Sequence, residues 1–474
     1  MTAAPIAAGR SPAIRATVRL RLRRREMAIL VVAGLALAAG AASLGTTAAG
    51  RPALAGAGHL ATYLAGLLAL SLVLSLAGRR SDELLLPAAG LLGGVGLLLM
   101  LRLPQDLVTQ EILGRQLGLA DLQLAWLLVS LGVTGVLALL VRSDRWLRLY
   151  KYTWAAAGIG LLLLTFVFGV ETNGARLTLS IGPLSGQPSE LLKVILVVFF
   201  AGYLAENRPL LAEARVRLVG PLSVPPLAAL LPLLAMLGLA LSIVVVQRDL
   251  GAALLYYAVF LVMLYVATGS LLDVLAGIAL FALGALAAAA VFPLVGERIA
   301  AWLDPWADPL GSGYQLIQAL HAFARGGVFG TGLGAGLPEI GGRLPIPAVH
   351  TDFPLAALGE EIGLTGVMAV LGLYLVLVQR GLRIAAAARD DFGALLATGL
   401  AAVIAVQAFI IAAGNLKLIP LTGITLPFVS YGGSSLLANA LVVGLLLALS
   451  DPGDLVAPPP PRPRGRLRRL RGRP

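Results

Sequence analysis

The sequence predicts an all-α polytopic membrane protein with about twelve transmembrane helices. Three observations carry this prediction. Of 474 residues, 58% are apolar and 13% charged, and the mean hydropathy is +0.91, a composition that cannot cover a soluble domain with polar surface. Uncharged runs such as 28–49 and 122–141 reach the roughly 20 residues that a bilayer requires. The net charge of +12 is confined to the ends: residues 1–25 carry +7 and residues 451–474 carry +5. The membrane body is therefore neutral, and the basic tails suit an anionic cytoplasmic leaflet rather than nucleic acid.

The elements follow in order. A basic tail spans 1–26. The first span, 27–49, has an apolar run longer than a signal-peptide core and is expected to be a retained anchor. Spans at 60–76, 84–101 and 122–141 complete an N-terminal membrane region over 27–149. A membrane core over 150–450 holds spans at 152–170, 190–205, 222–246, 252–268, 272–295, 362–379, 392–414 and 432–450, with a long loop at 296–361. A Pro- and Arg-rich tail, 451–474, closes the chain. An even count puts both termini on one side. Loops on that side hold twelve basic residues in about 50 positions, against nine in about 140 on the other. The termini are thus expected on the cytoplasmic side of the membrane, and loop 296–361 outside.

Several chemistries are excluded or disfavoured. There is no cysteine, hence no disulfide and no thiolate chemistry. His59, His321 and His350 are far apart in sequence, which speaks against a histidine metal cluster. No Walker A loop is found, and no nucleotide cofactor is expected. Neither a short repeat nor an inverted symmetry of the transporter kind is evident.

Ionisable residues in or beside apolar spans carry most of the remaining information, since each costs about 3 kcal/mol at the centre of a lone membrane helix. Glu190 and Lys193 open a span three residues apart, on one face, behind Pro188. They make either a mutually supporting salt bridge or the charged wall of a hydrated cavity. Arg248 and Asp249 occupy a short turn, where an ion pair is expected. Arg176 and Lys417 stand in outer loops as cations. The glycine series Gly326, Gly327, Gly330, Gly332, Gly334 and Gly336 fits no dinucleotide fingerprint and suits tight turns and close packing better than a phosphate cradle. Trp302 and Trp306 suit a membrane interface. The densest group is His350-Thr351-Asp352-Phe353 followed by Gly359-Glu360-Glu361. By composition alone, Asp352 reads as a solvated loop acid.

Together these motifs resemble the SEDS family, the RodA, FtsW and SpoVE proteins of bacterial cell-wall synthesis. The signatures run in family order: Asn173-Gly174-Ala175-Arg176, Gln187-Pro188-Ser189-Glu190 with Lys193, Asp249-Leu250-Gly251, Trp302-Leu303-Asp304-Pro305, Gly313-Tyr314-Gln315, His350-Thr351-Asp352-Phe353 with Glu360-Glu361-Ile362-Gly363, and Pro420 to Gly423 through Leu426 to Ser435. The likeness covers about residues 150–450. Leu177 stands where the family has tryptophan, and twelve spans exceed the family's ten by a pair near the N-terminus, as in longer RodA-like proteins. The resemblance implies a peptidoglycan glycosyltransferase that polymerises lipid II and releases undecaprenyl diphosphate, in elongation or division. A lipid II flippase and a non-catalytic scaffold stay open as alternatives.

The resemblance further implies Asp352 as catalytic residue, either as general base or as ligand of a divalent cation such as Mg or Mn. It implies Arg176, Lys193 and Lys417 as cations for the diphosphate, with Glu190 orienting Lys193. Gln187, Ser189, His350, Thr351, Ser430 and Ser434 complete the implied substrate-binding set. A class B penicillin-binding protein is the implied partner, alongside other elongation or division proteins and membrane lipids.

Overall fold

A computed structural model describes residues 23–47, 56–112, 114–172, 175–181, 184–214, 216–219, 222–336 and 344–451. Most of the basic N-terminal tail, nearly all of the C-terminal tail and the Asn173-Gly174 pair lie outside the described residues. Fifteen α-helices are described, of which twelve are long and apolar enough to cross a membrane. The spans are α1 (Arg24–Thr47), α2 (Ala57–Leu76), α3 (Leu85–Arg102) and α4 (Leu119–Leu140). After the short α5 (Arg145–Leu149) come α6 (Lys151–Phe168), α7 (Pro188–Ala212), α8 (Leu227–Val246), α9 (Leu250–Thr268) and α10 (Leu271–Val291). Helices α11 (Pro293–Leu303) and α12 (Tyr314–Gly326) precede the last spans, α13 (Pro354–Ala386), α14 (Asp391–Asn415) and α15 (Gly433–Ser450). The twelve-span prediction therefore holds.

Local chemistry explains where the helices begin. Pro188, Pro293 and Pro354 occupy first-turn positions of α7, α11 and α13, where the missing N–H costs nothing. Asp249 caps α9 by accepting from the Ala252 N–H at 3.0 Å, and Asp390 caps α14 by accepting from Gly393 at 2.9 Å. The most buried spans are α3, α7 and α14. Small residues such as Ala397, Gly399 and Ala401 let α14 approach its neighbours closely. By contrast, α10 buries only Asp273, so its apolar sides are left for lipid.

Two features depart from the sequence reading. Seven short strands accompany the helices: hairpin β1 (Gln110–Ile112) with β2 (Arg115–Leu117), an antiparallel sheet of β3 (Val170–Thr172), β4 (Ala175–Ile181) and β5 (Leu184–Gly186), and hairpin β6 (Val216–Val219) with β7 (Leu222–Val224). Most are three or four residues long, too short to show a period. About half of the segment read as loop 296–361 is also helical. It contains most of α11 and all of α12, and α13 starts at Pro354 rather than near 362. A break at Gly363 (φ 66°) divides α13, and the apolar run counted as a span lies after that break.

Gly363 takes the left-handed conformation that a side chain resists, with Phe329 and Gly330 packed against it. Gly330 (φ 82°) packs in turn on Glu361 and Gly363. The glycine series is thus a packing device around the break, as its spacing suggests. Of the series, Gly336 packs near the side chains of Glu360 and Glu361, and the Gly334 N–H donates to the Glu361 carboxylate.

Ion pairs fasten the face on which the described chain starts and ends. Arg23 donates to the Ser81 hydroxyl at 2.7 Å and the Asp82 carbonyl at 2.8 Å. The Asp82 carboxylate accepts from Arg380 Nε at 2.7 Å, and Arg79 pairs with Asp451 at 3.1 Å. Helix α1 is thereby tied to α13 and to the end of α15 through the α2–α3 turn.

Candidate active site

On the opposite face, a cleft of about 230 Å³ opens between α11, the start of α12, the C-terminal end of α14 and the Leu421–Gly423 segment. Asp352 and Arg298 both line it. Asp352 is half-buried, and desolvation raises its carboxyl above the ordinary carboxylate range, against the opposing pull of Thr351 and Arg298. Arg298 donates Nη1 to the Thr422 carbonyl at 3.3 Å. Burial lowers its pKa, while the charges of Asp352 and Asp249 favour the protonated form. The cleft therefore presents a desolvated carboxyl beside a guanidinium.

The turn bearing Asp352 is fixed by the last motif of the sequence. The Ser430 hydroxyl donates to the Thr351 carbonyl at 2.6 Å and accepts from the Leu426 N–H at 2.8 Å. Tyr431 N–H donates to the His350 carbonyl at 2.8 Å, and Asn415 Nδ2 donates to the Asp352 carbonyl at 3.0 Å. The His350 and Tyr431 rings lie 6.0 Å apart. Burial pushes the His350 imidazole below its usual value, so it is neutral at pH 7. Residues far apart in the chain, 63 positions for Asn415 and 79 for Ser430, thus form one support for a single carboxyl.

A second polar group lies within the helix bundle. Lys193, 2% exposed, pairs with Glu190 at 2.5 Å and donates to Gln407 Oε1 at 2.9 Å. Gln407 donates to the Thr425 carbonyl at 2.8 Å, and Thr425 donates to the Ser435 hydroxyl at 2.6 Å. Asp249 accepts from Ser189 at 3.0 Å and from Gln187 at 3.1 Å, while the Gln187 N–H donates to Ser434 at 2.8 Å. Among the described residues no ion pair joins Asp249 to Arg248, contrary to the expected turn pair; the carboxylate is turned to α7 instead. The Thr422–Thr425 segment runs from this network to the cleft, which Gly423 and Asp352 both line.

The structure brings Gln187, Ser189, Glu190, Lys193 and Ser434 into this network, and His350, Thr351 and Ser430 beside Asp352. Lys417 lies outside the cleft lining: its ammonium sits 5.6 Å from the Trp306 ring centroid, and its carbonyl accepts from Trp302 Nε1 at 3.1 Å. Arg176 belongs to β4, and its side chain lies outside the described part. Glu360 and Glu361 form ion pairs instead, Glu360 with Arg325 at 3.0 Å and Glu361 with Arg102 at 3.0 Å. Sequence reasoning missed Arg298, Gln407 and Asn415. The last two were detectable as amides in an apolar span. Arg298 was hidden because its segment, behind Pro293, was read as loop. No three His, Asp or Glu side chains come together among the described residues; Glu297 and Asp352 are the two acids that line the cleft.

Comparisons with known proteins place this geometry in context. The FtsW/RodA/SpoVE cell cycle protein family matches residues 82–452. The match begins before α3 rather than at 150, and leaves α1 and α2 as the additional pair. Peptidoglycan glycosyltransferase RodA of Mycobacterium tuberculosis is 43% identical over 373 residues, 78% of each chain. The probable peptidoglycan glycosyltransferase FtsW of Geobacter sp. is 39% identical over 294 residues, covering 61% of this chain and 76% of the relative. A solved structure concerned with coordination of polymerization and crosslinking by a peptidoglycan synthase complex aligns with TM-score 0.60 at 31% identity, over 78% of this chain and 98% of that one. Thermus thermophilus rod shape determining protein RodA aligns with TM-score 0.53 at 27% identity, over 78% and 97%. With the matched region holding every span from α3 onward and the whole candidate site, the chain belongs to the FtsW/RodA/SpoVE family of cell cycle proteins.

Proposed function

We propose that this chain is a peptidoglycan glycosyltransferase that polymerises lipid II into β-1,4-linked glycan, with Asp352 as general base. The single observation that supports the role of Asp352 is its desolvated carboxyl in a cleft beside Arg298, on a turn locked from two sides. The acceptor's N-acetylglucosamine 4-hydroxyl attacks the anomeric carbon of the donor's N-acetylmuramic acid, its proton passes to Asp352, and undecaprenyl diphosphate leaves with inversion. One carboxylate suffices because diphosphate is already a good leaving group; glycoside hydrolases generally need two.

Purified protein supplied with labelled lipid II tests the proposal. Polymer is expected; relocation of lipid II across vesicles without polymer would make the chain a flippase, and neither result would leave a scaffold. A class B penicillin-binding protein is the proposed partner, since glycan strands require crosslinking and this chain offers no Ser-x-x-Lys nucleophile in a soluble domain.

The proposed orientation puts both termini in the cytoplasm and the cleft outside, where lipid II sugars are presented. Because the chain has no cysteine, single cysteines at Ser11, Leu310 and Gly465 report it cleanly. Leu310 is 89% exposed on the loop between α11 and α12. With an impermeant thiol reagent on intact spheroplasts, only the Leu310 variant should react before lysis. Labelling of either tail in sealed cells would reverse the orientation.

A further inference from the structure

The cleft contains one cation among its described lining residues, Arg298. The cations singled out in the sequence stand elsewhere: Lys193 is enclosed by Glu190 and Gln407, and Lys417 lies over Trp306. We propose that Arg298 is a catalytic residue, the cation that takes up the diphosphate charge of the departing polyprenyl group. This rests on the polymerase reading above.

Three features carry the assignment. A guanidinium has five N–H donors in a planar fork that matches phosphate oxygens bidentately, and the one described bond of Arg298, to the Thr422 carbonyl, is long at 3.3 Å. Most of its donors are therefore left for a ligand. It sits on a helix whose Trp302 is anchored to the Lys417 carbonyl, so the charge is held by a regular element rather than a bare loop. Finally, it shares the cleft with the base.

That last feature couples the two halves of the reaction. As the acceptor oxygen bonds to the anomeric carbon, its proton moves to Asp352 and neutralises the carboxylate. The bond from the anomeric carbon to the phosphate oxygen breaks, and its electron pair stays on the diphosphate. Arg298 thus loses one anionic neighbour as another gains charge. The interaction with the leaving group strengthens along the reaction, which is the requirement for catalysis rather than mere binding.

Direct titration of the full-length protein with farnesyl diphosphate and with farnesol tests this. The wild type should bind the diphosphate more tightly than the alcohol. Arg298→Gln should weaken farnesyl diphosphate binding at least about 10-fold, leave farnesol binding unchanged, and lower kcat for polymerisation by about 100-fold. Arg80→Gln, an exposed arginine on the α2–α3 turn of the opposite face, should change neither. A folded Arg298→Gln protein that binds farnesyl diphosphate like the wild type would overturn the assignment and leave Arg298 only as a clamp on Thr422. If that variant does not fold, Arg298→Met decides: it keeps the apolar stem but not the charge, and unchanged affinity for farnesyl diphosphate would equally overturn the assignment. Wild-type protein that binds the diphosphate yet makes no polymer would sink the polymerase reading while sparing the diphosphate site.

Discussion

Asp352→Asn is expected to abolish glycan polymerisation in a protein that still folds and inserts. Asparagine has the same shape and cannot accept the acceptor's proton, and removing a positioned general base typically costs 10²–10⁴-fold in rate. The hydrogen bonds that tie the turn to Ser430, Tyr431 and Asn415 run through backbone carbonyls of residues 350–352, whereas the Asp352 carboxylate takes a bond from its neighbour Thr351, which an asparagine oxygen can also accept. Folding should therefore survive, as measured by thermal unfolding in detergent. Near-normal polymer from the folded variant would remove Asp352 from the chemistry. The wild type also makes a pH prediction. Burial raises the carboxyl, so the active, ionised form exists above that raised pKa and is lost as pH falls through it. The acidic limb of kcat/KM should lie above the range of an ordinary exposed carboxylate; a limb at or below that range would contradict the burial.

The second large effect concerns Glu190 and Lys193. With Lys193 only 2% exposed, removing one partner of the pair strands a charge away from water, a loss of about 3–5 kcal/mol in comparable buried pairs. Lys193→Ala should thus unfold at markedly lower temperature than wild type, and Glu190→Gln/Lys193→Met should recover much of the difference. A double variant no more stable than Lys193→Ala would show that the pair does not support itself. Polymerisation should fall in both variants, because Lys193 holds Gln407, Gln407 holds Thr425, and the same segment lines the cleft with Asp352 at Gly423.

Of the two readings that the sequence left open for the pair, the structure shows the mutually supporting ion pair; neither residue lines the cleft, and Lys193 is linked to the Thr422–Thr425 segment through Gln407. The proposed lining cation is instead Arg298. The acids Glu360 and Glu361 likewise look from their position beside Asp352 like members of the site, yet each is paired with an arginine and holds α12 or α3 to the break in α13.

What the sequence determined by itself is whatever depends on composition and local period. Apolar runs of about 20 residues set the twelve spans, because each must satisfy its backbone internally and fit one bilayer thickness. Prolines and capping acids set several of their starts, and the motif order pointed to the family. What only the tertiary structure decided depends on contacts between residues far apart in the chain. The turn at Asp352 is rigid because Ser430 and Tyr431 fold back on it, and no local signal at 350–352 encodes that. Short strands and the helical content of 292–353 escaped because segments of three to thirteen residues show too little periodicity, and their stability comes from packing on the bundle. Arg298 became visible for the same reason. Its identity is local, but its meaning comes from α11 lying across the end of α14, where a guanidinium and a desolvated carboxyl are brought into one cleft.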